Sequence, residues 1–109
     1  MNTPSTDRLA NTVRPPLSLE AIILLLSDRA RWLILEALAD GEPRMINELA
    51  KEVGKTPAAT SKHVGLLRQL GLVRVIRRSY QLVEAFRPAP GQSQVDLGYC
   101  VMRFPKSFR

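Results

Sequence analysis

A single cysteine, Cys100, and a single histidine, His63, stand in a chain of 109 residues. One thiol cannot close an internal disulfide, which fits a reducing compartment. One histidine and one distant thiol also leave a metal or nucleophile site without ligands or partners. Aromatic residues make up only 6% of the chain, too few for binding by base stacking. Hydrophobic runs are short: Ala21 to Leu26 is closed by Ser27, Asp28, Arg29 and Arg31, far below the ~20 residues that span a bilayer. Met1 to Leu17 is polar and carries Pro4, Pro15 and Pro16, unlike a signal peptide. Paired carboxylates, a phosphate-cradling glycine loop and a nucleophile constellation are missing too. These gaps argue against an enzyme, a cofactor, a metal site and a membrane partner, and they favour a cytoplasmic protein.

What is present is an uneven charge. From Lys55 onward there are ten basic residues against two acidic ones, Glu84 and Asp96; from Met1 to Gly54, six basic face eight acidic. Phosphate attraction would require such a basic half, although a solvated surface would carry it as well. The apolar fraction of 45% is ordinary for one small globular domain. We expect residues 1–17 to form a flexible arm and 18–106 to form the domain.

The helical signals come in series. Ser18 can cap a helix from Leu19 to Leu26 that is apolar on almost every side. Its Leu19, Ile22, Ile23 and Leu26 are expected to face a second subunit, making a homodimer. Asp28 can cap the next helix, to about Ala39, with Ala30, Leu33, Ile34, Ala37 and Leu38 inward; Trp32 reads as a packing residue. A short helix from about Met45 to Val53 ends at Gly54. Thr56 then caps a helix over Pro57–Leu70, with Pro57 where its missing N–H costs nothing. On that helix Thr60, Val64 and Leu67 share one side, with Leu66 and Leu70 beside them. Thr56, Pro57, Ala58, Ala59, Ser61 and Lys62 are the residues we expect to meet DNA, with Arg68 further along. Small side chains admit a close approach to base edges, Ser61 offers a hydrogen bond and Lys62 a charge. His63 is expected at the sugar-phosphate backbone.

After Gly71 the apolar period falls to two. Val73 to Phe86 and Val95 to Phe104 alternate, separated by the turn-forming Arg87-Pro-Ala-Pro-Gly-Gln-Ser-Gln94. One long hairpin with this loop at its tip is the preferred register; an early turn at Arg77–Ser79 is the competing one. Arg77 and Arg78 would reach DNA from an early turn, and Arg87 from the long one. The whole reads as mainly α with a β-hairpin wing, an α+β winged helix-turn-helix.

Four segments carry a resemblance: Leu26-Ser-Asp-Arg-Ala-Arg-Trp-Leu-Ile-Leu35, Ile46-Asn-Glu-Leu-Ala50, Thr56-Pro-Ala-Ala-Thr-Ser-Lys-His63 and Leu67-Arg-Gln-Leu-Gly-Leu-Val73. From about Leu24 to Ile76 the sequence resembles the winged helix-turn-helix repressors of the arsenical-resistance (ArsR) type. The resemblance implies a dimeric repressor of transcription, the Thr56–Arg68 helix in the major groove of double-stranded DNA, and Ser61, Lys62 and His63 facing that DNA. The family's metal sensors place cysteines in the helix before, where Pro43-Arg-Met-Ile-Asn-Glu48 has none. Others use a C-terminal helix, for which the hairpin leaves no length. An unidentified small molecule or protein remains open as effector. A winged helix that binds a protein or RNA, without specific DNA binding, is the alternative.

Overall fold

The computed structural model describes residues 17–105. Residues 1–16, most of the expected arm, lie outside the described residues. Leu17, assigned to that arm, belongs to the fold: it is 8% exposed and its N–H donates to the Leu97 carbonyl at 3.2 Å.

Three of the four helices start where a polar side chain accepts from the first turn. Ser18 Oγ accepts from Ala21 N at 3.1 Å and opens α1, Leu19–Leu26. Asp28 Oδ1 accepts from Ala30 N at 2.8 Å and opens α2, Arg29–Leu38. After the two-residue strand β1 (Arg44–Met45), helix α3 (Ile46–Val53) begins with Glu48 accepting from Met45 N. Gly54, at φ 70°, ends α3 in the left-handed conformation that favours glycine. Thr56 Oγ1 accepts from Ala59 N at 3.1 Å and opens α4, Pro57–Gln69. No helix among the described residues is long and apolar enough to cross a membrane.

The wing is short. Strand β2 (Val73–Ile76) turns at Arg77 and Arg78 into β3 (Ser79–Leu82), pairing Ile76 with Ser79 and Val73 with Leu82. β3 also pairs with β1, giving a three-stranded antiparallel sheet in the order β1-β3-β2. The long hairpin is therefore corrected to the early turn. The chain leaves the sheet after Leu82 because a 3-10 turn, Glu84–Phe86, swings Phe86 into the core. The second alternating run folds on itself, as β4 (Gln94–Asp96) against β5 (Val101–Arg103) with Val95 opposite Met102. Its turn is closed by Gly98 N donating to Asp96 Oδ1, and Leu97 N to the Cys100 carbonyl, both at 2.8 Å. Cys100, expected within a strand, lies half-buried in that turn.

One core joins these parts. Leu25, Ile34, Leu35, Leu38, Leu49, Leu67, Leu72, Leu82, Val95 and Leu97 are fully buried. Inward residues of α2 differ partly from expectation. Leu35 and Arg31 are buried, whereas Leu33 and Ala37 are half-buried. Trp32 packs edge-to-face on Phe104, with ring centroids 5.3 Å apart, so it is a packing residue as expected.

Candidate nucleic-acid interface

α4 is held along one side and free along the other. Thr60, Val64 and Leu67 are buried, and Thr60 Oγ1 donates to the Thr56 carbonyl at 2.8 Å. Thr56, Pro57, Ala58, Ser61, Lys62 and Arg68 are exposed, and Ala59 is half-buried. The helix dipole places a partial positive charge at this end, and no acidic residue in the first turn offsets it. Thus the exposed start of α4 combines small side chains, a hydroxyl and an ammonium, groups that meet bases and phosphates.

The wing extends this surface. Arg77 and Arg78 are exposed at its tip, and between α4 and β2 runs an open groove of about 590 Å³ lined by Gly65, Arg68, Gln69, Val73, Arg74 and Val75. Arg74, on β2, brings a second guanidinium to that groove beside Arg68. Arg87 does not join them. Its Nε donates to the Leu82 carbonyl at 2.8 Å, and its stem packs so near Gly41 that an added Cβ there would lie 3.1 Å from Cδ. Its assignment to DNA depended on the long hairpin and falls with it.

His63 is turned inward. Its side chain is 16% exposed; Nδ1 accepts from Arg31 Nη1 at 3.0 Å, and Nε2 lies 3.8 Å from Asp28 Oδ2. The Ala30 N–H bond is the largest cause holding the Asp28 carboxyl below its ordinary range; the nearby His63 ring, Arg31 and Lys55 act in the same direction against a desolvation cost. A carboxyl whose folded-state pKa is depressed stabilises the fold above its unfolded pKa, and the stabilisation fades as pH falls through the folded value. Asp28→Ala is therefore expected to lower the urea midpoint at neutral pH, and to lower it progressively less in the acid range. Urea unfolding across pH checks this; an equal loss at every pH would contradict it.

Two further surfaces frame the interface. A cleft of about 430 Å³ is lined by Leu33, Glu36, Ala37, Asp40, Arg44, Glu48 and Glu52. Its four carboxylates repel phosphate, and Arg44 is already bonded to Asp40 at 2.6 Å. Among the described residues, no three His, Cys, Asp or Glu side chains converge as a metal ion requires. On α1, Leu19, Ile23 and Leu26 are 51%, 61% and 44% exposed and form one stripe, with Leu24 (46%) beside it. Ile22, assigned to that face from sequence, is 5% exposed and belongs to the core. The helix needs Ile22 and Leu25 to dock on its own domain, so Leu24 takes the outer place.

Known proteins share this arrangement. The model of the bacterial regulatory protein arsR family matches residues 28–75. The HTH-type transcriptional regulator KmtR of Mycobacterium tuberculosis is 41% identical over 56 residues, 51% of this chain and 42% of KmtR; the chain thus spans less than half of that relative. The transcriptional repressor BigR from Xylella fastidiosa superposes at a TM-score of 0.50 and 27% identity, over 78% of this chain and 84% of BigR. NolR from Sinorhizobium fredii, at a TM-score of 0.51 and 24% identity over 77% of this chain and 81% of its own, shares the fold. From Asp28 to Val75, the stretch that forms the helix-turn-helix and the first strand of the wing, this chain is similar to the ArsR family of bacterial regulatory proteins.

Proposed function

We propose that the chain is a cytoplasmic, sequence-specific DNA-binding transcriptional regulator that acts as a homodimeric repressor. The observation that carries this reading is the two-sided α4, anchored by Thr60, Val64 and Leu67 and free along Thr56, Pro57, Ala58, Ser61 and Lys62. Those residues, with Ala59 at their edge, would read the major groove. Arg68, Arg74, Arg77 and Arg78 would meet the backbone or minor groove and supply salt-dependent affinity. The exposed stripe on α1 would pair two copies, setting two recognition helices about one helical turn apart on a near-palindromic site.

The deciding experiment selects binders from a randomised duplex pool at two salt concentrations, for the parent chain and Lys62→Ala. Enrichment of a palindrome that depends on Lys62 is the expected result. No enrichment, or binding that ignores Lys62 and tracks salt alone, would overturn specific recognition in favour of a protein or RNA partner.

The wing offers a cleaner variant than most. Arg77 holds φ 57°, a left-handed conformation that costs a non-glycine residue roughly 1 kcal/mol. Glycine there relieves the strain but loses more chain entropy on folding. Arg77→Gly should thus leave stability within about 0.5 kcal/mol while lowering DNA affinity and reducing the slope of log affinity against log salt by about one. A salt titration of the variant settles it: an unchanged slope would remove the wing tip from the contact set.

A further inference from the structure

Arg31 is a charge inside the fold, 9% exposed on the inner side of α2. A buried guanidinium persists only when its donors are satisfied, and here they are satisfied by two different helices. Nε donates to the Leu25 carbonyl at 3.2 Å, and Nη2 donates to the Leu24 carbonyl and to Ser27 Oγ, both at 2.8 Å. These are carbonyls at the end of α1, which has no basic residue in its own last turn, so Arg31 supplies the cation that a helix C-terminus favours. The remaining bond runs the other way, from Nη1 to His63 Nδ1 on α4 at 3.0 Å. One planar group therefore fastens the helix with the exposed apolar stripe to the helix with the exposed small and basic residues.

The fastening depends on a proton. Arginine only donates, so Nδ1 must keep its lone pair and the neutral ring carries its hydrogen on Nε2, towards Asp28 Oδ2 at 3.8 Å. A second proton makes Nδ1 a donor and sets a cation against the guanidinium, which ends the bond. The ring faces Asp28, the residue that caps α2, and Arg31 within that helix, while Lys55, ahead of α4, acts on the same carboxylate. Asp28 draws a protonated ring away from Arg31 and so favours the released state.

We propose that Arg31 is a positioning residue for DNA recognition, holding α4 to the end of α1 through neutral His63, and that protonation of His63 releases this hold. The inference rests on the DNA-binding reading above. Released, α4 keeps its charge and gains one more, but loses its fixed bearing on the stripe of α1. Sequence-specific and non-specific binding should then move apart as pH falls, which a merely structural arginine would not cause.

The test compares the parent chain with His63→Asn and Arg31→Lys between about pH 8 and about pH 5, where a histidine can change charge. Asparagine keeps an acceptor near the Nδ1 position and cannot titrate. Lysine keeps the charge, but its single ammonium cannot serve both helices at once. For the parent, affinity for the selected duplex should fall at least fivefold relative to a random duplex at equal salt; for both variants that ratio should stay flat. A ratio that falls equally in the parent and His63→Asn would overturn the proposal, even if Arg31→Lys fails to fold. Nitrogen spectra of the free protein give a second reading independent of DNA. Near pH 8 the His63 Nδ1 should resonate as an unprotonated nitrogen, and acidification should shift the amides around Leu24–Ser27 in the parent and not in His63→Asn. Shifts confined to the neighbours of His63 would overturn the hold. A failure to select any duplex while those shifts appear would instead overturn the DNA reading, and the positioning role with it.

Discussion

Replacing Ile23 with glutamate is expected to yield a folded monomer that binds its duplex site about a hundredfold more weakly than the parent chain. Ile23 is 61% exposed at the middle of the α1 stripe, while Ile22 and Leu25 hold the helix to its own domain at 5% and 0% exposure. A carboxylate at position 23 faces water in the monomer, so stability should change by no more than about 0.5 kcal/mol. In a two-fold dimer the same surface meets itself, and two carboxylates would face each other in a place that leucines line. Losing the second half-site removes the gain from joining two binding events, a factor of about a hundred or more. Light scattering on a sizing column, followed by titration with the selected duplex, checks both parts. A parent chain that is already monomeric at micromolar concentration, or a variant that binds DNA as tightly as the parent, would overturn the dimer.

Leu97→Ala carries the largest expected cost to the fold, about 3 kcal/mol, the centre of the range for emptying a buried leucine site. Leu97 is fully buried in the β4–β5 turn region, together with Val95, Met102 and Phe104 from the same hairpin. Its N–H donates to Cys100 and its carbonyl accepts from Leu17, so the site is fixed by backbone bonds and cannot easily collapse around the missing atoms. A loss of that size is a large share of the roughly 5–15 kcal/mol that stabilises a domain. Urea unfolding measures it directly. A cost below about 1 kcal/mol would mean that this hairpin does not pack on the core as described.

Helices were legible because their signals are local. Ser18, Asp28 and Thr56 cap where side-chain chemistry says they should, Gly54 stops α3, and the inward side of α4 follows from the spacing of Thr60, Val64 and Leu67. Strand pairing was less legible, for a physical reason. Alternation tells which face a residue takes but not which strand lies beside it. The true wing turn, Arg77-Arg78, lacks the glycine or asparagine that usually marks such a turn, whereas Pro90 and Gly91 do make a turn, with Gln92 N donating to the Ala89 carbonyl at 2.9 Å, but one that joins strands of two different sheets. At the interface, exposure of Ser61 and Lys62 followed from the helical wheel. The inward turn of His63 did not, because it depends on Arg31, thirty-two residues away, and neither spacing nor composition reveals a bond between helices. The outer place of Leu24 was hidden similarly: on a helix apolar all round, only the packing of Ile22 and Leu25 decides which leucines remain outside.

The bond between Leu17 and Leu97 also bears on the order in which the chain assembles. Contacts among α2, α3 and α4 join near neighbours in sequence, and loop-closure entropy is small for them. The Leu17–Leu97 contact spans nearly all the described residues, so its closure is rewarded only once the middle is in place. The three central helices are therefore expected to form the early nucleus, with the β4–β5 hairpin and the start of α1 as the late-arriving clasp. By this argument α4 belongs to the part expected to fold first, and the elements flanking it are expected to be the slow ones.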